Sequence, residues 1–280
     1  MMDYYIIDAF TSQPFGGNPA GVVLLEGNIF PAKGLMLKIA AELRYSETAF
    51  ILRHSEKEYT ARYFTPKAEV ELCGHATIAT FALLHSMKLA TGQCLCHTKA
   101  GDLTIEVGER VMMQMATPKI LKTINVVDDI YCALGIKDYT PSLPVQIVST
   151  GLPDFMIQVA DVNTLNSLRP DMNAVSAITK KHNAVSFHVF AFGNDGHTAH
   201  VRDFAPLYDI PEESATGTAN AALTHYLFVN GVIPAKDDFS FLQGEAMNRS
   251  SVIITRIAKN GTVYVGGSAY ILAKGELYLD

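Results

Sequence analysis

Apolar residues along the 280-residue chain fall into two rhythms. D-Y-Y-I-I-D-A-F (3–10), G-V-V-L-L (21–25), T-A-F-I-L-R (48–53) and Y-T-A-R-Y-F (59–64) are short and rich in β-branched and aromatic residues, and read as strands. L-M-L-K-I-A-A-E-L-R (35–44) places its apolar residues on one helical face and predicts an amphipathic outer helix. A-T-I-A-T-F-A-L-L-H-S-M (76–87) and T-A-N-A-A-L-T-H-Y-L-F-V (218–229) are apolar nearly all round, and a helix without a wet face is a central one. Late segments such as S-V-I-I-T-R-I, T-V-Y-V-G-G and A-Y-I-L-A read as strands, and A-K-N-G-T between two of them carries hairpin chemistry.

The two apolar helices belong to a longer repeat. C-G-H-A-T-I-A (73–79) matches T-G-T-A-N-A-A (216–222), R-Y-F-T-P (62–66) matches R-D-F-A-P (202–206), and G-N-P-A-G-V-V (17–23) loosely matches G-L-P-D-F-M-I (151–157). Three matches in one order at similar spacing argue for duplication. The expected class is α+β, with two similar domains, each a barrel-like sheet around a central buried helix. The expected halves are 1–122 and 123–280, the last strand packing on the first domain.

Composition narrows the possibilities. Hydrophobic residues make up 49% of the chain and charged ones 18%, enough apolar material for a sizeable core. A net charge of −6 without a basic cluster argues against nucleic acid as a partner. The four cysteines form no C-x-x-C pair, so a disulfide framework is not expected and a reducing cytoplasm is. No apolar run reaches the roughly 20 residues that span a bilayer, so no membrane partner is expected.

Candidate chemistry gathers at the starts of the buried helices. A helix N-terminus offers unpaired N–H groups to a carboxylate or phosphate, and Gly74 and Gly217 would let such a group approach the backbone. If the copies face each other, both starts point into one cleft, and a small anionic substrate is the expected guest. Glu47, among apolar neighbours in Y-S-E-T-A-F-I, is the candidate acid/base, because desolvation would raise its pKa towards a useful range. The comparable stretch of the second half, A-V-S-F-H-V-F (184–190), has no carboxylate.

His75 lies in the ligand-facing first turn, whereas His225 reads as a core residue. His197 and His200 in G-H-T-A-H are expected on a strand without an acidic partner at metal spacing, and no metal is expected. Cys94 and Cys96 alternate along a strand and need no function. G-G-N-P-A-G lacks the Lys-Ser/Thr ending of a phosphate loop and reads as a turn before a strand, presenting Asn18 to the cleft.

Together D-A-F-T-x-x-P-F-G-G-N-P-A-G-V, S-E-T-A-F, R-Y-F-T-P, E-L-C-G-H-A-T-I-A and F-A-P…E-E-x-A-T-G-T-A resemble the phenazine-biosynthesis isomerase (PhzF-like) family. The resemblance implies a fold related to diaminopimelate epimerase, an active site between two related domains, a homodimer and no cofactor. It gives Glu47 the role of proton carrier and places His75 and Gly74 in the family's G-H-A-T motif. Where the family reads E-D-P-x-T-G-S-A this chain reads E-E-S-A-T-G-T-A, so Glu213 replaces an aspartate, Ser214 a proline and Thr218 a serine.

Thr218 keeps a hydroxyl, while Glu213 keeps the charge on a longer arm. The implied catalytic set is Glu47, His75 and Glu213, with Asn18, Gly74, Gly217 and Thr218 binding substrate. Related epimerases use two cysteines on opposite faces of the substrate; here Cys73 has Thr216 as its repeat partner, so two-base racemisation lacks a base. The expectation is a one-base isomerase. A racemase or epimerase using Cys73 with another base, and a non-catalytic small-molecule-binding protein, are the alternatives.

Overall fold

A computed structural model describes residues 2–279. The fold is mixed α/β, and strands dominate it. The chain divides into two compact units, one formed by residues 1–114 with 266–280 and the other by residues 115–265.

The first unit contains β1 (Met2–Ala9), β2 (Asn18–Leu24), α1 (Lys33–Leu43), β3 (Thr48–Arg53), β4 (Glu58–Phe64), β5 (Glu69–Val70), α2 (Gly74–Ser86), β6 (Gly92–Thr98), β7 (Gly101–Val107) and β8 (Val111–Gln114). The second contains β9 (Lys119–Thr123), α3 (Asp128–Ala133), β10 (Gln146–Ser149), β11 (Pro153–Gln158), α4 (Val162–Ser167), α5 (Met172–His182), β12 (Ser186–Ala191) and β13 (Ala199–Ala205). It continues with β14 (Ile210–Glu213), α6 (Gly217–Val229), β15 (Lys236–Gln243) and β16 (Ser251–Ile257). β17 (Val263–Gly267) leads to β18 (Ala269–Leu277), which belongs to the first unit.

Strand pairing runs in parallel through the two units. β1 pairs antiparallel with β2, β2 parallel with β3, β3 antiparallel with β4, and β4 antiparallel with β5 and parallel with β6. β10 to β15 repeat these pairings in the same senses. The free side of β1 is taken by β18 and that of β10 by β9, so β18, from the end of the chain, completes the first unit.

Helices α2 and α6 start at Gly74 and Gly217 and bury nine of their thirteen residues each, so the strands of each unit must cover them on most sides. Thr77 and Thr80, like Thr224, turn their hydroxyls onto the carbonyl one turn back, which lets polar residues sit in a dry helix. By contrast α1 buries only Met36, Ile39 and Ala40, which pack with Val23, Phe50 and Phe64, as an outer amphipathic helix should.

Three helices of the second unit, α3, α4 and α5, were not anticipated. α5 carries recognisable signals: the Asp171 carboxylate accepts from the backbone N–H groups of Asn173 and Ala174, and Asn183 ends the helix in the left-handed region. The G-G-N-P-A-G segment also differs from expectation, because β2 already begins at Asn18 and only the residues before it turn. Gly17 makes that turn at φ +65°, and a Cβ there would lie 2.1 Å from the Ala9 carbonyl oxygen. Gly17→Ala is therefore expected to destabilise the protein by at least about 2 kcal/mol in chemical denaturation, whereas Gly34→Ala, in open space on α1, should not.

Candidate active site

In the first unit the site is built where β2, β3 and α2 begin. Cys73 is the N-cap residue of α2 in extended conformation and does not cap the helix with its side chain. His75, in the first turn, is 7% exposed. Its Nε2 lies 3.3 Å from Glu47 Oε2 and 3.4 Å from Ser46 Oγ. Its Nδ1 lies 3.4 Å from Asn18 Nδ2 and 3.5 Å from Cys73 Sγ.

Burial lowers the His75 pKa, and the Glu47 charge only partly offsets this, so the ring is neutral near pH 7. Glu47 immediately precedes β3, its carbonyl accepts from Gly21 N–H, and its side chain keeps a fifth of its surface exposed. A part-wet carboxylate against a dry, neutral imidazole can exchange a proton with a ligand that reaches it. At Gly74 a Cβ would meet only Met113 Cε, at 3.7 Å, so the protein's own packing does not require glycine there and leaves room over the helix start.

The second unit places Glu213 at the end of β14 and Thr216, Gly217 and Thr218 at the start of α6. Thr216 Oγ1 donates to Glu213 Oε2 at 3.0 Å. Gln243, buried at the end of β15, donates from Nε2 to the Glu213 carbonyl and to Thr216 Oγ1, while its Oε1 accepts from Thr216 N–H and Asn220 Nδ2. Sequence reasoning missed Gln243, because its bonds cross 23 to 30 residues of chain. The Thr218 carbonyl accepts from Thr150 Oγ1.

Registers in the two units identify equivalent positions. Thr48 pairs with Phe64 in the first, and Phe187 with Phe204 in the second; Phe64 and Phe204 are matched by the sequence repeat. The residue before each, Glu47 and Ser186, therefore occupies the same place. Ser186 Oγ lies 2.9 Å from Asp154 Oδ1 and 2.7 Å from Asp203 Oδ1, and Asp203 Oδ1 is 2.9 Å from His188 Nδ1. A hydroxyl has one proton to give, so both Ser186 contacts are hydrogen bonds only when one carboxyl is protonated. Burial, reinforced by the Asp203 charge, pushes the Asp154 pKa well up and marks it as that acid.

Of the other histidines, His200 on β13 has a carboxylate at each ring nitrogen. Its Nδ1 lies 2.6 Å from Glu245 and its Nε2 3.0 Å from Asp195, Glu245 arriving from 45 residues away. Burial lowers its pKa, but these two carboxylates raise it by more. His197 lies ahead of β13 rather than on it and contacts Ser240 Oγ. His225 is partly buried on α6, where burial lowers its pKa. Cys94 and Cys96 both turn inward from β6.

The phenazine biosynthesis-like (PhzC-PhzF) family model matches residues 7–275. The chain belongs to that family. An uncharacterized isomerase of Clostridium acetobutylicum is 36% identical, with 99% of this chain and 98% of that protein covered. The trans-2,3-dihydro-3-hydroxyanthranilate isomerase of Pseudomonas fluorescens is 29% identical over the whole of both chains. The crystal structure of a Bacillus anthracis PhzF-family protein superposes with a TM-score of 0.89 at 24% identity, covering 99% of each chain. Its named relatives are isomerases, which places this PhzF-family chain among the isomerases. No helix among the described residues is long and apolar enough to cross a membrane.

The raised Asp154 pKa has a defined sign for stability. A carboxyl that is more basic when folded contributes its full stability below the unfolded pKa of about 3.9, and that contribution falls as pH rises towards the folded value. Asp154→Asn keeps the shape, supplies an amide donor in place of the acid proton and cannot ionise. It is expected to unfold less readily than wild type by about 1 kcal/mol or more at pH 8, with the difference shrinking towards pH 4 in denaturation curves.

Proposed function

We propose that this chain is a cofactor-independent isomerase that moves a proton on a small carboxylate-bearing substrate, with Glu47 as the single acid/base. The observation that carries this reading is the pairing of Glu47 Oε2 with the buried, neutral His75 at 3.3 Å, set against Ser186 at the equivalent place in the second unit. One carboxylate and one histidine at a helix start suit removal of a proton from carbon and its return to another atom on the same face.

In this reading Glu47 takes the proton, and His75, neutral and hydrogen-bonding through either nitrogen, steadies the carboxylate and the developing charge. Glu213 assists or orients the substrate, its oxygen held by Thr216. Asn18, Gly74, Gly217 and Thr218 bind the substrate carboxylate, the two helix starts offering N–H groups that neither Cys73 nor Thr216 caps with its side chain. The reading includes two diaminopimelate epimerase-like domains with barrel-like sheets around α2 and α6, a homodimer, and chemistry that needs no metal or cofactor.

The hydroxyl of Thr216 is a poor stand-in for a second thiol, being far too weak an acid and already bonded to Glu213. Two-base racemisation through Cys73 is thereby disfavoured. The dihydro-hydroxyanthranilate on which the Pseudomonas relative acts by name is the first substrate to try, followed by a library of small unsaturated carboxylates.

Incubation in deuterated water, followed by NMR, reads any exchange or shift of a carbon-bound hydrogen. Wild type should exchange, and Glu47→Gln should lose at least about a hundredfold in rate while binding the ligand nearly as well. Full turnover in Glu47→Gln would sink the assignment. Deuterium entering with inversion, together with a dead Cys73→Ser variant, would replace it with an epimerase.

A further inference from the structure

We propose that Glu47, Cys73 and His75 form a three-ligand site for Zn²⁺, and that an ion bound there switches the proton-transfer site off. The second part rests on the isomerase reading above; the first does not. One ligand atom from each residue lies within 4.8 Å of the other two.

The individual distances decide more than the proximity. Tetrahedral zinc, with Zn–N and Zn–O near 2.0–2.2 Å and Zn–S near 2.3 Å, holds its nitrogen and oxygen ligands about 3.4 Å apart and its sulfur and nitrogen about 3.6 Å apart. Here Glu47 Oε2 is 3.3 Å and Cys73 Sγ 3.7 Å from the same nitrogen, His75 Nε2. The Glu47–His75 edge of the coordination tetrahedron is in place. Cys73 Sγ also lies 3.5 Å from Nδ1, so it stands beside the ring and comes onto the ion by rotation of the Cys73 side chain, with a turn of the part-exposed Glu47 closing the last edge.

The chemistry of the donors agrees with the geometry. A thiolate, an imidazole and one carboxylate favour Zn²⁺ over the hard ions Mg²⁺ and Ca²⁺. Binding at Nε2 leaves the ring proton on Nδ1, facing Asn18 at 3.4 Å, and a rotated Asn18 amide offers its oxygen as the acceptor that ligating imidazoles require. The Cys73 thiol gives up its proton to solvent as the Zn–S bond forms, so affinity rises with pH. The bound ion then occupies the Glu47 oxygen and His75 nitrogen that proton transfer uses, leaving its fourth position to water.

Cobalt reports on such a site without any substrate. Titrating the purified protein with Co²⁺ should give a saturable, one-to-one thiolate charge-transfer band with tetrahedral d–d bands, and one equivalent of Zn²⁺ should abolish both. Cys73→Ala and His75→Gln, each checked for folding by circular dichroism, should lose the band. Chelator competition should show Zn²⁺ bound at least about tenfold more weakly in each. Cys132→Ser, which removes the exposed thiol, should keep the band.

No saturable band, or a band that survives in Cys73→Ala and vanishes in Cys132→Ser, overturns the site. Stoichiometric Zn²⁺ should also stop deuterium exchange by wild type, with recovery on adding EDTA. Zinc bound at Cys73 with exchange unchanged overturns the switch. Because the metal titration needs no turnover, the site is decided even if the isomerase reading fails.

Discussion

A helix with no polar face is stable in water only when other elements cover it on nearly every side, and this chain carries two such helices. Strands of each unit lie against α2 and α6, and the same order of parallel and antiparallel pairings recurs in both units. The starts of the helices are constrained in turn, since their first N–H groups have no carbonyl one turn back. The extended residues at 73 and 216 do not cap those groups with their own side chains, and glycines follow at 74 and 217, where the helix dipole is positive.

The two units share one order of strand pairings, and the side chains carried on it differ. Glu47 in the first corresponds to Ser186 in the second, and Ser186 is tied into a buried network with Asp154, Asp203 and His188. The carboxylate that keeps contact with water stands beside a neutral imidazole in one frame. In the other, the buried acid Asp154 is held protonated by its surroundings. Equivalent backbone therefore carries a part-exposed carboxylate in one unit and a dry, internally bonded hydroxyl in the other.

Much of this was legible in the residues because the signals were local. T-A-F-I-L-R coincides with β3, the apolar helices begin within two residues of their expected starts, and the matched R-Y-F-T-P and R-D-F-A-P fall on β4 and β13, which hold corresponding places in the strand pairings. What escaped was non-local or overshadowed. Gln243 and Glu245 act through bonds to residues far back in the chain, and nothing in their own neighbourhood marks them. The capped ends of α5 were readable, but its sparse apolar face gave a weaker signal than the strands around it. Cys73 was set aside because Thr216 is its repeat partner, yet its sulfur sits 3.5 Å from His75.

That last contact separates two questions that sequence comparison merges. Racemisation through a cysteine needs a second base, and the hydroxyl of Thr216, engaged with Glu213 and Gln243, is far too weak an acid to serve as one. Whether the same cysteine can ligate a metal depends only on what stands within reach of its sulfur. Beside an imidazole and a part-exposed carboxylate, a thiol is a suitable ligand whatever its role in racemisation. An isomerase that retained such a residue at its helix start would keep its one-base chemistry and acquire a sensitivity to zinc that a serine or threonine there would not confer.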